Sequence, residues 1–384
     1  MNIGLVGTGF IARNFAREVG RRRAATITKV LTRRPRVDEF DTDILTRSID
    51  ELVAHGDVVV ECSGDPLWAT EVVAAAVDAG VPVVTMNTEF HITTGSAFVG
   101  KGLVTEAAGD QPGCLAELHE EAVAMGFEPV AYGNMKGFLN PDPTPEEMEY
   151  WGKKQGISLS MVTAFTDGTK VEAEQILVGN HFGATIGPDG MEGAAVDDLS
   201  EGAARLAALA EQVGQPVTDF VVSPHLSHGV FIVATHDPAQ ADALRYYKMG
   251  DGPSYTLVRP NIFVHLEILK TVRRVLSGGG VLLDNSASPE LSLAAVAKRD
   301  LRPGERILRG IGSFDVRGRA IRIAEHPDHI PIGLLCDAVV ERPVPRGGVL
   351  TMADVSVPES LALRLWRGIV GGRRDHVGSE SGRE

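Results

Sequence analysis

Residues Met1–Ala12 read MNIGLVGTGFIA and carry the strongest fold signal in the chain. The apolar residues up to Val6 predict a buried strand, and a glycine-rich turn follows directly. Gly7 permits that tight turn, and Gly9 leaves room for a pyrophosphate to approach the backbone. A helix is predicted to begin near Phe10. A strand, a glycine turn and a helix in this order form the sequence pattern of a dinucleotide-binding fold.

The glycine turn and the first turn of the helix are the predicted phosphate site. Free N–H groups at the positive end of a helix attract phosphate oxygens. Ala12 stands in place of a third glycine and still lets the helix pack closely on the strand. An ordinary strand–turn–helix unit is the alternative, because glycine-rich turns are common. The predicted contacts are Gly7, Gly9, Phe10, Ile11 and Ala12.

The turn after the second predicted strand bears on which dinucleotide is bound. That strand spans residues 25–31 and is followed by Thr32-Arg33-Arg34-Pro35. At this place an acidic residue binds the adenosine ribose 2′-hydroxyl of NAD, whereas an arginine accommodates the 2′-phosphate of NADP. Arg33 and Arg34 are present without an acidic residue, so the sequence favours NADP, with NAD as the second option. A solvated basic turn is the alternative interpretation.

Strands and helices continue to alternate after this turn, as in a doubly wound parallel sheet. Residues 57–62 are rich in β-branched side chains, which suits a strand covered on both faces. A helix predicted at 68–79 leads to a strand at 83–85. Small and polar residues follow these two strand ends, where a bound dinucleotide would lie. These candidate cofactor contacts are Ser63, Gly64, Asn87 and Glu89.

Composition limits the class of protein. The chain has 384 residues, 43% of them hydrophobic, and a formal net charge of −14. This length suits two or three domains, and the acidic balance argues against a nucleic-acid partner. No apolar run is long enough to span a bilayer, so no membrane partner is expected. The three cysteines are far apart and lack metal-binding spacing, which favours reduced thiols in a cytoplasmic protein.

Two residues in the middle of the chain form the predicted reaction centre. Asp167 and Lys170 stand three positions apart at a predicted junction from loop to helix, so both can face one side. A lysine can act as general acid to a carbonyl or, if its pKa is lowered, as general base to an alcohol. Asp167 could orient the ammonium or bind a substrate hydroxyl. The alternative is a surface ion pair.

Other basic residues are candidates for binding a small-molecule substrate. Lys136 and Lys248 each lie in a glycine-flanked turn, which suggests contacts with an anion. Arg245 lies close to Lys248 in the sequence, and His265 is a candidate for acid–base work. Together these residues predict a small polar, anionic substrate. No histidine or cysteine cluster has a clear metal-ligand spacing, so no metal is predicted.

The character of the sequence changes along the chain and suggests three domains. Residues 1–135 form the predicted dinucleotide-binding Rossmann domain. Residues 136–290 mix strands and helices less regularly, which suits an α+β substrate domain. Residues 291–372 are rich in strands and turns, and we expect a β-rich module without a catalytic group of its own. Residues 373–384 are polar and charged and are predicted to be a disordered tail.

Three motifs together resemble a known family. They are Thr166-Asp167-Gly168-Thr169-Lys170, Lys248-Met249-Gly250-Asp251-Gly252-Pro253 and Ala297-Lys298-Arg299-Asp300-Leu301-Arg302-Pro303-Gly304-Glu305. Their order and spacing are similar to those of the homoserine-dehydrogenase-like NAD(P)-dependent oxidoreductases with a C-terminal SAF-type domain, a family that includes deoxyxylulose-phosphate reductoisomerase-like enzymes. The resemblance implies a Rossmann domain, a central catalytic and oligomerisation domain, a SAF-like β-rich domain and hence a homo-oligomer.

The resemblance also implies an activity. It implies nicotinamide-dependent hydride transfer, and it matches Asp167 and Lys170 to the family's catalytic aspartate and lysine, although the spacing is not identical. It does not name the substrate. Two alternatives stay open: a reductoisomerase that couples skeletal rearrangement to NADPH reduction, and a non-catalytic nicotinamide-binding sensor.

Overall fold

The structure is a computed structural model that describes residues 1–23, 25–35 and 37–380, with side chains described as far as residue 371. The helices are α1 Phe10–Arg22, α2 Ile49–Ala54, α3 Pro66–Asp78, α4 Thr88–Thr94, α5 Gln111–Ala124, α6 Pro145–Gln155, α7 Leu159–Thr166, α8 Thr169–Phe182, α9 Leu199–Val213, α10 Ala241–Tyr246, α11 Ile268–Leu276 and α12 Leu361–Glu380. The strands are β1 Asn2–Val6, β2 Thr26–Leu31, β3 Leu45–Thr46, β4 Val58–Glu61, β5 Val83–Thr85, β6 Val104–Glu106, β7 Glu128–Lys136, β8 Ala194–Ala195, β9 Val217–Val222, β10 Val230–Thr235, β11 Ser254–Arg259, β12 Leu291–Ala297, β13 Arg306–Arg309, β14 Val316–Arg322, β15 Cys336–Val340 and β16 Val355–Ser356.

The chain forms two compact units, neither of which is a single stretch of sequence. Unit 1 comprises residues 1–110, 263–289 and 359–384, and unit 2 comprises residues 111–262 and 290–358. These boundaries differ from the predicted domains. The structure assigns α11 to unit 1 because its apolar side chains pack into the core beneath the N-terminal sheet, among them Ile268 and Val272.

Unit 1 is built on a six-stranded parallel sheet with the order β3-β2-β1-β4-β5-β6. Apolar side chains of α1 and α11, such as Phe15 and Val272, pack into one core with β1 and β4. Those of α2 and α3, such as Leu52 and Val72, pack into a second core that also contains Leu365 of α12. Because side chains alternate along a strand, two cores mean that both faces are covered. The predicted doubly wound parallel sheet is confirmed.

Unit 2 contains a mixed five-stranded sheet with the order β11-β10-β7-β9-β8, in which β10 runs antiparallel to its neighbours. Apolar side chains of α5 and α8 pack against one set of strand residues, including Tyr132 and Ile232. Those of α9 pack against the intervening set, including Ala131 and Val233. Two small antiparallel sheets, β12-β14 and β13-β15-β16, lie in the later part of the unit. The predicted α+β character and the β-rich C-terminal part are confirmed.

The C-terminal end differs from its prediction. The backbone continues as α12 to Glu380, so the structure is helical where residues 373–380 were predicted to be disordered, and residues 381–384 lie outside the described residues. A stretch with Leu361, Leu365 and Trp366 at helical spacing starts this helix, and its apolar side packs on α3 and α4. Within the described residues, no helix combines the length and apolar character needed to cross a bilayer.

Candidate functional site

The turn between β1 and α1 requires glycine at its first position. Gly7 has a φ of +98°, and a Cβ there would lie 2.8 Å from the carbonyl oxygen of Cys62. Gly9 is the N-cap of α1 without a side-chain cap, and a Cβ on it would meet no atom within 4 Å. The first N–H groups of a helix have no intrahelical partner, so open space beside Gly9 leaves room for a phosphate group. The residues fit a dinucleotide.

The two arginines after β2 have different surroundings. Arg33 pairs with the carboxylate of Asp65 at 2.5 Å, and its guanidinium lies 4.8 Å from the ring centre of Trp68. Arg34 instead lines a cavity of about 190 Å³ at the carboxyl end of β2. Arg47, which the sequence did not single out, lines the same cavity after β3. Among the described residues, the lining consists of Thr32, Arg34, Pro35, Val37, Leu45, Thr46 and Arg47.

The candidate residues after β4 and β5 are held by local hydrogen bonds. The backbone N–H of Ser63 donates to the Glu61 carboxylate at 2.7 Å, and the hydroxyl of Thr85 donates to its other oxygen at 2.9 Å. Burial raises the pKa of Glu61. Asn87 is fully buried and caps α4 by accepting from the N–H of Phe90. Gly64 is exposed with a φ of +68°, and Glu89 is buried within α4. Their predicted contact with a cofactor stays a prediction.

Asp167 lies at the start of α8 in a closed environment. Its Oδ2 accepts from Nζ of Lys298 at 2.6 Å, and its Oδ1 accepts from the N–H of Thr169 at 3.0 Å. The side chain is 0% exposed, and that of Lys298 is 5% exposed. Burial raises the pKa of Asp167, and the Lys298 ammonium opposes this rise. The alternative of a surface ion pair is therefore wrong, and the ion partner shown is a lysine 131 residues away.

Lys170 is buried in the first turn of α8, four residues before Glu174 and therefore on the same side of the helix. Glu174 also meets β7: its Oε2 accepts from Nδ2 of Asn134 at 2.7 Å and from Nζ of Lys136 at 3.1 Å. Asn134 and Lys136 are two apart on the strand and share one face. The structure thus gathers a polar cluster between α8 and the carboxyl end of β7.

The other predicted substrate contacts lie elsewhere. Arg245 is exposed and pairs with Asp242 at 2.8 Å and Asp251 at 2.7 Å. Lys248 is exposed in the following turn, with a φ of +64°. His265 belongs to unit 1, where its ring contacts that of Phe10 edge-on at 6.2 Å. Burial lowers the pKa of His265. His265 therefore shares a unit with the glycine turn, and Lys136 and Lys170 do not.

One group of potential metal ligands occurs in unit 2, although none was predicted. Asp189, Glu325 and His326 place ligand atoms within 4.8 Å of one another. In the structure Nε2 of His326 and Oδ2 of Asp189 are joined by a hydrogen bond of 2.7 Å. The Glu325 carboxylate lies 3.6 Å from the guanidinium of Arg322. One hydrogen bond and one ion pair thus already engage Asp189 Oδ2, His326 and Glu325 with protein groups.

Three residues of the candidate sites were missed by sequence reasoning. Glu174 had a usable signal, since it stands at i+4 from Lys170 on a predicted helix. Lys298 lies within a motif that was used only for the family resemblance. Arg47 had no signal, because nothing in the sequence states which loop returns to the end of β2.

Two family models match the chain. Residues 7–96 match the homoserine dehydrogenase NAD-binding domain, and residues 109–268 match the catalytic domain of oxidoreductase DRL. The chain is an NAD(P)-dependent oxidoreductase. The first match contains the glycine turn and the second contains Asp167 and Lys170. A comparison with curated proteins gives no match.

Solved structures resemble this oxidoreductase at low sequence identity. A UDP-N-acetylglucosamine 3-dehydrogenase from Acidithiobacillus ferrooxidans is 12% identical, with 74% of this chain and 92% of that chain covered and a TM-score of 0.42. A probable dehydrogenase from Thermotoga maritima is 14% identical, with 72% and 89% covered and a TM-score of 0.40. A myo-inositol dehydrogenase from Corynebacterium glutamicum is 12% identical, with 73% and 90% covered and a TM-score of 0.40.

Proposed function

We propose that this oxidoreductase uses NADP and transfers a hydride to or from a small polar hydroxy or carbonyl compound, with Lys170 as general acid and base. The observation that supports NADP is the cavity at the end of β2, which Arg34 and Arg47 line together. The end of the second strand is where a dinucleotide fold places the adenosine ribose. Two guanidinium groups at one cavity suit the 2′-phosphate, because charge-assisted hydrogen bonds favour it over a hydroxyl.

A comparison of arginine variants tests the cofactor proposal. We expect Arg34→Ala and Arg47→Ala each to weaken NADPH binding by about 10-fold to 100-fold, since a charged hydrogen bond contributes about 1.5–3 kcal/mol. NADH binding should change little. Arg33→Ala is the matched control, because Arg33 is already paired with Asp65. Binding is measured by titrating the fluorescence of the reduced cofactor. Equal affinity of the unmodified protein for NADPH and NADH would overturn the proposal.

Lys170 suits proton transfer through its position. It lies in the first turn of α8, on the same side of the helix as Glu174. Its side chain is nearly buried, so its proton is shielded from bulk water. When bound, the nicotinamide supplies hydride to a carbonyl carbon or accepts it from an alcohol carbon. Nζ of Lys170 donates a proton to the carbonyl oxygen in reduction and takes it from the hydroxyl in oxidation.

Two of the basic residues that suggested an anionic substrate already have acidic partners in the protein. Glu174 pairs with Lys136, and two aspartates pair with Arg245, so these cations are already neutralised. They no longer support an anionic substrate, and we propose only a small polar one. The homo-oligomer, the SAF-type domain and the cytoplasmic location stay predictions.

Steady-state kinetics tests the role of Lys170. A panel of small hydroxy and carbonyl compounds is screened for NADPH oxidation or NADP reduction. With a turnover substrate, we expect Lys170→Met to lower kcat by roughly 10²–10⁴-fold, the usual contribution of a positioned proton donor, without changing NADPH affinity. Lys153→Met on α6 is the matched control, because Lys153 is exposed. A Lys170 variant with near-normal kcat would remove this residue from the mechanism.

A further inference from the structure

We propose that Lys298 is a positioning residue of the reaction centre, which acts through Asp167 to fix the first turn of α8 and, with it, Lys170. The inference rests on the proposed function, since it takes Lys170 as the proton-transfer group. It changes the expected role of the C-terminal region. That region was predicted to contribute no group to the site, whereas here it supplies a lysine to the segment that carries the chemistry.

A continuous chain of hydrogen bonds supports the proposal. Nζ of Lys298 donates to the carbonyl oxygen of Ser313 at 2.7 Å and to Oδ2 of Asp167 at 2.6 Å. Oδ1 of Asp167 accepts from the N–H of Thr169 at 3.0 Å. Thr169 is the first residue of α8, and Lys170 is the next. The orientation of the first turn therefore depends on where the Asp167 carboxylate is held.

The C-terminal region also holds the start of α8 through two further hydrogen bonds. The hydroxyl of Thr169 accepts from the N–H of Gly318 at 2.9 Å. One turn along, the carboxylate of Glu172 accepts from the N–H of Ala320. Both donors belong to β14, which pairs with β12, and β12 leads directly into Lys298. The β12–β14 pair and Lys298 thus fix the start of α8 from one rigid support, as a precise site requires.

A purely stabilising role does not explain why these contacts use charges. Burying two ions costs desolvation energy, and a well-packed apolar pair of similar volume is often as stable or more stable. Both side chains are almost fully enclosed, so the pair gains nothing from direct contact with solvent. What this pair does provide is a fixed position, since the carboxylate must stay within hydrogen-bond reach of an ammonium that the Ser313 carbonyl also holds. This fixed position in turn orients Lys170, the second residue of α8.

The experiment compares four variants of the full chain. They are Lys298→Met, Lys298→Arg, the double variant Asp167→Asn with Lys298→Met, and the control Lys29→Met, which breaks an ion pair with Glu51 in unit 1. Thermal unfolding, NADPH affinity and the kcat and KM of the turnover substrate are measured. Lysines are also ¹³C-methylated, and the Lys170 resonance is assigned from a Lys170→Arg sample.

We expect Lys298→Met to lower kcat by roughly 10-fold to 100-fold, as for a misplacement of about 1 Å, with little change in NADPH affinity. Lys298→Arg should recover part of kcat. The double variant should recover thermal stability without recovering kcat, because no charge is left unpaired but nothing directs the turn. The Lys170 resonance should shift in both methionine variants of Lys298 and stay unchanged in Lys29→Met.

Two results would overturn the proposal. One is a double variant that recovers kcat together with stability, which would make the pair structural only. The other is a Lys170 resonance whose chemical shift stays the same when Lys298 is replaced by methionine. Failure of the proposed function looks different: Lys170→Met would then keep its kcat while the resonance of Lys170 still responded to Lys298.

Discussion

Glu172, a buried residue of α8, should make the free energy of unfolding depend on pH, and replacing it by glutamine should remove this dependence. Glu172 is enclosed between α8 and β14, where it accepts from the N–H of Ala320 and lies 3.7 Å from the guanidinium of Arg317. Burial raises its pKa from 4.5 to about 8, although Ala320 and Arg317 act in the opposite direction. The folded protein therefore holds this proton to higher pH than the unfolded chain.

The sign and size follow from this difference. Between pH 4.5 and about 8 the folded state binds more protons, so its free energy of unfolding falls as the pH rises through that window. At about 1.36 kcal/mol per pH unit, the full window of about 3.5 pH units corresponds to about 5 kcal/mol as an upper limit. By pH 7 the loss of stability is at most about 3 kcal/mol. Glutamine keeps the shape and an acceptor for Ala320 but does not titrate in this range.

Urea unfolding followed by circular dichroism at pH 5, 6, 7 and 8 measures the effect. The Glu172→Gln protein should lose less stability than the unmodified protein as the pH rises, and the gap between the two should widen toward pH 8. Glu211→Gln, an exposed residue of α9, is the control and should leave the slope unchanged. Burial also raises the pKa of Asp219 to about 6, so part of the slope below pH 6 should remain in the Glu172→Gln protein. If the free energy of unfolding fell equally with pH in the unmodified and Glu172→Gln proteins, Glu172 would not be the source of the pH dependence.

Three further changes have defined outcomes. Thr144→Ala should lower the free energy of unfolding by about 1 kcal/mol, because Thr144 and Glu147 form the capping box of α6; Thr144→Ser, which keeps the hydroxyl, should not. Gly7→Ala should abolish NADPH binding in a fluorescence titration, because its Cβ would clash with the backbone of Cys62; near-normal affinity would contradict this. Burial lowers the pKa of His329 from 6.5 to about 4, so the folded state binds fewer protons in that window and loses stability as the pH falls through it. In urea unfolding, His329→Gln should reduce this loss of stability at low pH by at most about 3 kcal/mol, and an unchanged loss would exclude His329 as its source.

Local patterns made the first part of the fold readable. The strand, glycine turn and helix of Met1–Ala12 follow from apolar spacing and from a turn that only glycine tolerates. The α6 capping box has the same local character, because Thr144 and Glu147 are three residues apart and Pro145 begins the helix. In each case the deciding interaction lies within a few residues, where the sequence states both partners.

The candidate site was less readable because its deciding contacts are long-range. The sequence singled out Asp167 as a candidate, but its partner Lys298 comes from a strand end far along the chain, and no local pattern pairs them. Lys136 was predicted to contact an anionic substrate, whereas in the structure it pairs with the carboxylate of Glu174 on α8. The sequence shows which residues are charged, but the packing of α8 on β7 and β14 determines which of them form pairs.

The discontinuity of unit 1 has a consequence for how the protein can be made and divided. The core beneath its sheet includes Ile268 and Val272 of α11, and the opposite core includes Leu365 of α12. A fragment that stops at Asp110 would therefore expose apolar strand faces to water. During synthesis on the ribosome, the cores of the N-terminal sheet can be completed only after most of unit 2 has been made, because residues 263–289 and 359–384 follow it in the sequence. A shortened protein that binds cofactor should retain residues 263–289 and 359–371, joined by linkers across the omitted stretches.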